Sequence, residues 1–353
     1  MLRATMNSPA PAAAPTDPRA DAARLWAFEQ LGIDGAAFAP ASADASFRRY
    51  FRLTDGARSW IVMDAPPEKE DCGPFIAVSR LLRRWGLNAP EIIAEDRTGG
   101  FLLLPDLGTQ TFLQAIQAGA DPAPLFEDAL DALVQMQSRS LADADGLRGL
   151  PAYDAALLWR EVRLFSEWYL PRHLSVTLAG DEANELERAM GLLVKSALAQ
   201  PRCFVHRDFM PRNLMVTEPN PGVLDFQDAV VGPVSYDPVC LFKDAFWSWP
   251  AAFVAEGLER YWGLARALKV PVPADYAEFA REAEWMGLQR HLKVLGIFAR
   301  LTYRDGKAHY VADTPRFVRY VMDVAPRHPE LAPLTRLFEK HVLPKVALPP
   351  VQK

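Results

Sequence analysis

Cysteine is scarce in this chain of 353 residues: Cys72, Cys203 and Cys240 stand far apart, with no C-x-x-C pair. That spacing excludes a disulfide framework and a thiolate zinc site. A reducing, cytoplasmic setting is the expectation. A basic excess is also missing. Lys and Arg number 39 against 44 Asp and Glu, a formal charge of -5, so there is no electrostatic footprint for nucleic acid. No apolar run approaches the roughly 20 residues needed to cross a bilayer. Residues 1–17 are rich in Ala and Pro and lack the compact apolar core of a signal peptide; they read as a disordered tail. No internal repeat is visible, and nothing points to a protein partner. What is present, 50% hydrophobic and 24% charged residues, is ordinary globular composition. The length suits one large or two moderate domains.

The chemistry concentrates in one stretch. It reads His206-Arg207-Asp208-Phe209-Met210-Pro211-Arg212-Asn213, then Leu224-Asp225-Phe226-Gln227-Asp228. Phe204 and Val205 predict a buried strand leading in. Leu214, Met215 and Val216 form a short apolar run, and Pro219-Asn220-Pro221-Gly222 a turn. The pattern predicts loop, hairpin, loop, with Asp208, Asn213 and Asp225 at one end of a small sheet. Phosphoryl transfer needs that set. The reaction is mostly positioning and charge stabilisation. Asp208 suits a carboxylate that orients a hydroxyl and accepts its proton. Asn213 and Asp225 suit Mg²⁺, a hard cation that keeps several waters.

The rest of the chain divides by periodicity. A first helix is expected over Pro18 to Leu31, then strands around Ala41–Leu53 and Trp60–Met63, and a hairpin from Glu91 to Leu104. After Pro105-Asp106-Leu107-Gly108 the pattern is almost wholly helical. Helices are expected at Leu125–Gln137, Leu157–Leu170, Glu182–Leu198, Ala252–Leu268 and Asp275–Leu301. Glu161 lies within an apolar stripe and reads as a rim carboxylate. Arg290, His291 and Lys293 fall off the stripe of the last helix and read as a solvated face. The expected domains are 18–105 and 106–345, in an α+β chain.

The motif H-x-D-x-x-x-x-N, followed by Asp225-Phe226-Gln227-Asp228-Ala229 and by Tyr236-Asp237, resembles the aminoglycoside phosphotransferase family of the protein-kinase-like fold. The likeness runs from about residue 20 to 340. It implies two lobes, a β-rich N-lobe and a mostly helical C-lobe, with ATP and Mg²⁺ as cofactors. It also implies that the small-residue loop before the second strand covers the nucleotide phosphates. Ser46, Arg48 and Arg49 are the candidates there, since Arg suits bidentate phosphate contacts. The hinge would read the base through the Pro105 carbonyl and the Leu107 N–H. Two absences stand out: that loop has no glycine, and the third strand ends Met63-Asp64 where such folds usually carry a lysine. Lys69 is a further candidate substitute.

Several stretches are most similar to the anomeric amino-sugar kinases of peptidoglycan recycling. These are Ala45–Phe51, Val62–Glu68, the Asp208 loop and Gln289–Gly296. That similarity implies N-acetylmuramate or N-acetylglucosamine as acceptor, with Phe209, Glu161, Trp168 and Arg290 as candidate sugar contacts. A kinase of an aminoglycoside or amino alcohol, or a nucleotide-binding pseudokinase, remain the alternatives.

Overall fold

The computed structural model describes residues 17–43 and 47–348. The expected tail, apart from Asp17, lies outside the described residues, and so does Ser46. The chain packs as two units. One runs to Gly73 and resumes over Glu91–Asp106; the other takes Pro74–Pro90 and the chain from Leu107 onward.

In the first unit, α1 (Pro18–Leu31) begins on Asp17, whose carboxylate accepts the Ala20 N–H at 3.0 Å. A side-chain acceptor at the cap and a proline in the first turn both favour a helix start. Gly32, at φ 63°, closes the helix in the left-handed region. The sheet holds β1 (Ala37–Ala43), β2 (Arg49–Asp55), β3 (Arg58–Asp64), β4 (Ala94–Asp96) and β5 (Phe101–Pro105). Its antiparallel order is β1-β2-β3-β5-β4. Alternate residues share a face, so Phe51 and Leu53, Val62, and Phe101 and Leu103 project together. They pack on Ala23, Ala27 and Phe28 of α1. Each large side chain so buried contributes about 1.5–3 kcal/mol.

The second unit is mostly helical. Its elements include α2 (Gly73–Arg84), α3 (Phe112–Gln117), α4 (Pro122–Ala142), α5 (Ala144–Arg148) and α6 (Ala155–Val162). A π-helical stretch, Phe165–His173, follows, then α7 (Asp181–Ala199), α8 (Tyr236–Phe242), α9 (Ala251–Ala267), α10 (Tyr276–Tyr303), α11 (Thr314–Val324) and α12 (Ala332–Leu337). Two short ribbons lie among them. β6 (Arg202–Val205) pairs with β9 (Val230–Pro233), and β7 (Leu214–Met215) with β8 (Gly222–Val223).

Two findings depart from the sequence reading. The helix α2 falls in the range expected for the first lobe, yet it packs in the second unit. Phe75 meets the Phe226 ring at 4.9 Å and Trp85 the Phe204 ring at 5.4 Å. In α10, Arg290, His291 and Lys293 are all buried instead of solvated. The helix packs against α6, α7, α8, α9, α11 and the π-helical stretch, so no solvated face remains along that segment.

Candidate active site

The site is built on the two ribbons of the second unit. β6 is buried at Cys203, Phe204 and Val205 and delivers the chain into the loop at His206. Asp237, in the first turn of α8, fixes that exit. One of its oxygens accepts the His206 N–H at 2.7 Å, the other the Arg207 N–H at 3.0 Å. Arg207 takes φ 77° and Asp225 φ 63°. Non-glycine residues enter this region at a cost and stay there only when surroundings over-determine them. Both positions adjoin the candidate chemistry.

Asn213 ties the loop to the second aspartate. Its amide nitrogen donates to the Asp208 carbonyl at 2.9 Å and to Asp225 at 3.2 Å. Its own carbonyl accepts the Leu224 N–H at 2.9 Å. Gln227 donates to the other oxygen of Asp225 at 2.7 Å. The amide hydrogens of Asn213 and Gln227 thus orient Asp225. The donor set is one carboxylate and one amide oxygen. It fits a cation that keeps several waters and phosphate oxygens as ligands, and not an all-protein cage. No cluster of three or more His, Cys, Asp or Glu able to hold a metal exists among the described residues. Asp208 itself is half-buried. His206 is fully buried and its pKa falls to about 4 from desolvation, so the imidazole is neutral, and its Nδ1 accepts the Asp208 N–H at 3.3 Å.

Behind the loop lies a buried charge network that the sequence concealed. Glu161 is 5% exposed, which corrects the rim reading. Its carboxylate pairs with the Arg207 guanidinium, accepts from the Tyr153 hydroxyl, and meets the Lys293 ammonium at 3.1 Å. Lys293 also donates to the Tyr236 hydroxyl at 3.0 Å. Burial pushes the Glu161 pKa up, but Lys293 and Arg207 more than cancel it, so the net shift is downward. The ionised carboxylate holds Arg207, the residue directly before the candidate base. Removing one partner of a buried ion pair costs about 3–5 kcal/mol because the other charge is stranded. Glu161→Gln is therefore expected to lower thermal stability and kcat together. Adding Lys293→Met to it should recover part of the stability in a melting experiment. Full additivity of the two losses would contradict a shared network.

The other candidates separate. Phe209 is fully buried, with its ring 5.6 Å from that of His206; it is a core residue and presents no face to a ligand. Arg290 is 2% exposed and donates to the Lys243 carbonyl at 3.0 Å and to Cys240 Sγ at 3.1 Å. Its expected role as a direct sugar contact is corrected for the same reason. Trp168 is half-buried on the π-helical stretch. In the first unit, Arg49 donates to Asp64 at 2.9 and 2.6 Å and pairs with Asp17. Asp64 is fully buried and also takes Arg19 at 2.6 Å. The carboxylate that ends the third strand thus anchors two arginines there. Arg48 is half-buried just before β2, and Pro105 ends β5. The next residue, Asp106, is held by Arg52 through two bonds of 2.6 and 3.0 Å. Leu107 opens the second stretch of the helical unit.

Comparison with known proteins settles the family. The sequence model of the Phosphotransferase enzyme family matches residues 37–279. The chain belongs to this family. It is 55% identical over 315 residues to an N-acetylmuramate/N-acetylglucosamine kinase of Pseudomonas aeruginosa, covering 89% of this chain and 91% of the relative. A protein of the same description from Pseudomonas putida is 51% identical, covering 91% and 96%. Among solved structures, a choline kinase from Streptococcus pneumoniae superposes with a TM-score of 0.59 at 12% identity, covering 86% of this chain and 99% of that one. At that identity the likeness shows the fold alone, and the fold is the protein-kinase-like one. No helix among the described residues is long and apolar enough to cross a membrane.

Proposed function

We propose that this family member transfers the terminal phosphoryl group of ATP to the anomeric hydroxyl of N-acetylmuramate and N-acetylglucosamine. The product is the sugar 1-phosphate, made in the cytoplasm, where ATP is available, during cell-wall recycling. The observation that carries the acceptor is the 55% identity, over 89% of the chain, to a kinase of that description. The chemistry rests on the Asp208, Asn213 and Asp225 constellation.

Asp208 orients the hydroxyl and accepts its proton as the sugar oxygen bonds to the terminal phosphorus. The bond from that phosphorus to the bridging oxygen of ADP breaks. Asn213 and Asp225 hold Mg²⁺. When bound, it neutralises charge on the phosphates. Asp237 and the Glu161–Arg207 pair keep the loop in the geometry that lets Asp208 do this. For the nucleotide, Ser46 and Arg48 are the proposed phosphate contacts, with Pro105 and Leu107 at the base. Arg49 is committed to Asp64 and Asp17 and braces the start of β2.

The test is a panel of acceptors with ATP and Mg²⁺, with the phosphorylated position read by phosphorus NMR. Anomeric phosphate on the two amino sugars is expected. Turnover of a choline or aminoglycoside acceptor alone would replace the substrate assignment, and nucleotide binding with no turnover on any acceptor would overturn the enzyme reading.

A further inference from the structure

N-acetylmuramate differs from N-acetylglucosamine by a lactyl ether at C3 that carries a carboxylate. An enzyme taking both faces an anion in one substrate and none in the other. The cations around the catalytic loop can be sorted by what they already hold. Arg207 and Lys293 are spent on Glu161. Arg290 is buried against the Lys243 carbonyl and Cys240. Arg316 is taken by Asp313, the Ala245 carbonyl and Ser248. Lys243 lies over the Tyr320 ring at 4.9 Å, and the carboxylates nearest it electrostatically are Asp323 and Glu284.

Arg212 is different. It is exposed, it lies in the loop four residues after Asp208, and it directly precedes Asn213. Among the described residues no carboxylate pairs with it. Its guanidinium carbon sits 4.2 Å from the centroid of the Phe246 ring. Phe246 is itself half-buried and braced by Phe298 at 6.0 Å. Stacking on a ring fixes the guanidinium plane and leaves its edge donors open. A planar fork so presented matches a carboxylate by two parallel hydrogen bonds.

We propose that Arg212, held in place by Phe246, is the specificity-determining residue that reads the carboxylate of the acidic amino sugar. The inference rests on the acceptor reading above. On the pyranose ring C3 is two atoms from the anomeric carbon. The lactyl carboxylate therefore hangs within a long side chain's reach of the hydroxyl that Asp208 orients. Phe246 supplies the rigidity, and Arg212 supplies the charge next to the metal-binding amide without joining it.

The experiment compares kcat/KM for N-acetylmuramate, its carboxyl methyl ester and N-acetylglucosamine in the intact enzyme, Arg212→Ala, Arg212→Lys and Phe246→Leu. Wild type should prefer the free acid over its ester. In Arg212→Ala the ratio of N-acetylmuramate to N-acetylglucosamine should fall roughly ten- to a hundredfold, the scale of one charge-assisted hydrogen bond. The fall should appear mainly in KM, and the acid–ester difference should vanish. Arg212→Lys and Phe246→Leu should give intermediate ratios, since Lys keeps the charge without the planar fork and Leu leaves the guanidinium without the ring that orients it. Ratios within one preparation are insensitive to partial misfolding. Equal losses on both sugars, a rise in KM for ATP alone, or an unchanged ratio would each overturn the assignment of Arg212. Failure of the intact enzyme on both sugars would instead overturn the acceptor reading, and this inference with it.

Discussion

Asp208→Asn is expected to lower kcat by about 10²–10⁴-fold, the usual worth of a general base, while nucleotide affinity stays close to that of the parent. The structure explains why the two effects should separate. Asn213 holds Asp208 through its backbone carbonyl, at 2.9 Å, and not through its carboxylate. Asp237 holds the two residues before it by their backbone N–H groups. An amide of the same shape at 208 therefore leaves the loop intact and removes only the proton acceptor. Steady-state kinetics and nucleotide titration of one preparation make the check. A kcat near that of the parent would remove Asp208 from the mechanism.

The second large effect is expected at Asp225. Asp225→Ala removes a hard oxygen ligand beside a polyanion and strands two amide donors, Asn213 at 3.2 Å and Gln227 at 2.7 Å. It also puts alanine at φ 63°, where a Cβ is disfavoured. Asp225→Asn is the cleaner variant, since Asn tolerates that conformation while losing the charge. Both should lower kcat/KM by at least about 10²-fold, the scale of losing one preorganised contact to developing charge. Titration calorimetry with ATP should show that Mg²⁺ no longer strengthens binding. Nucleotide affinity that responds to Mg²⁺ as in the parent would exclude Asp225 as a ligand.

Much of this protein was legible in one dimension. Helix α1 runs Pro18–Leu31, the range that the helical spacing of Leu25, Phe28 and Leu31 predicts. The loop and hairpin around Asp208, Asn213 and Asp225 were legible because their residues lie within a single stretch. Local turns and short ribbons bring such neighbours together, and distant residues such as Asp237 then fix the loop. The apolar runs Trp60–Met63 and Phe101–Leu104, set off by the turns at Thr54–Ala57 and Arg97–Gly100, likewise announced strands.

Other features required the folded chain. Glu161 looks like a rim carboxylate on its own helix, because one helix shows only its own stripe. Its partners come from residues 46 and 132 positions away, Arg207 and Lys293; nothing in a local pattern brings them together. The same holds for Asp64, whose partner Arg19 comes from a helix 45 positions earlier. Arg290 reads as a solvated cation until other helices close around α10. Arg212 shows the reverse. Within the motif it is one more arginine beside a functional residue, and only the Phe246 ring and the lack of a carboxylate partner among the described residues distinguish it from the committed cations nearby. Sequence determines which groups share a loop, since neighbours in the chain stay neighbours in space. Burial and long-range pairing decide which charges are spent on the fold and which remain for a ligand, because desolvation and counter-ions come from elements distant in the chain.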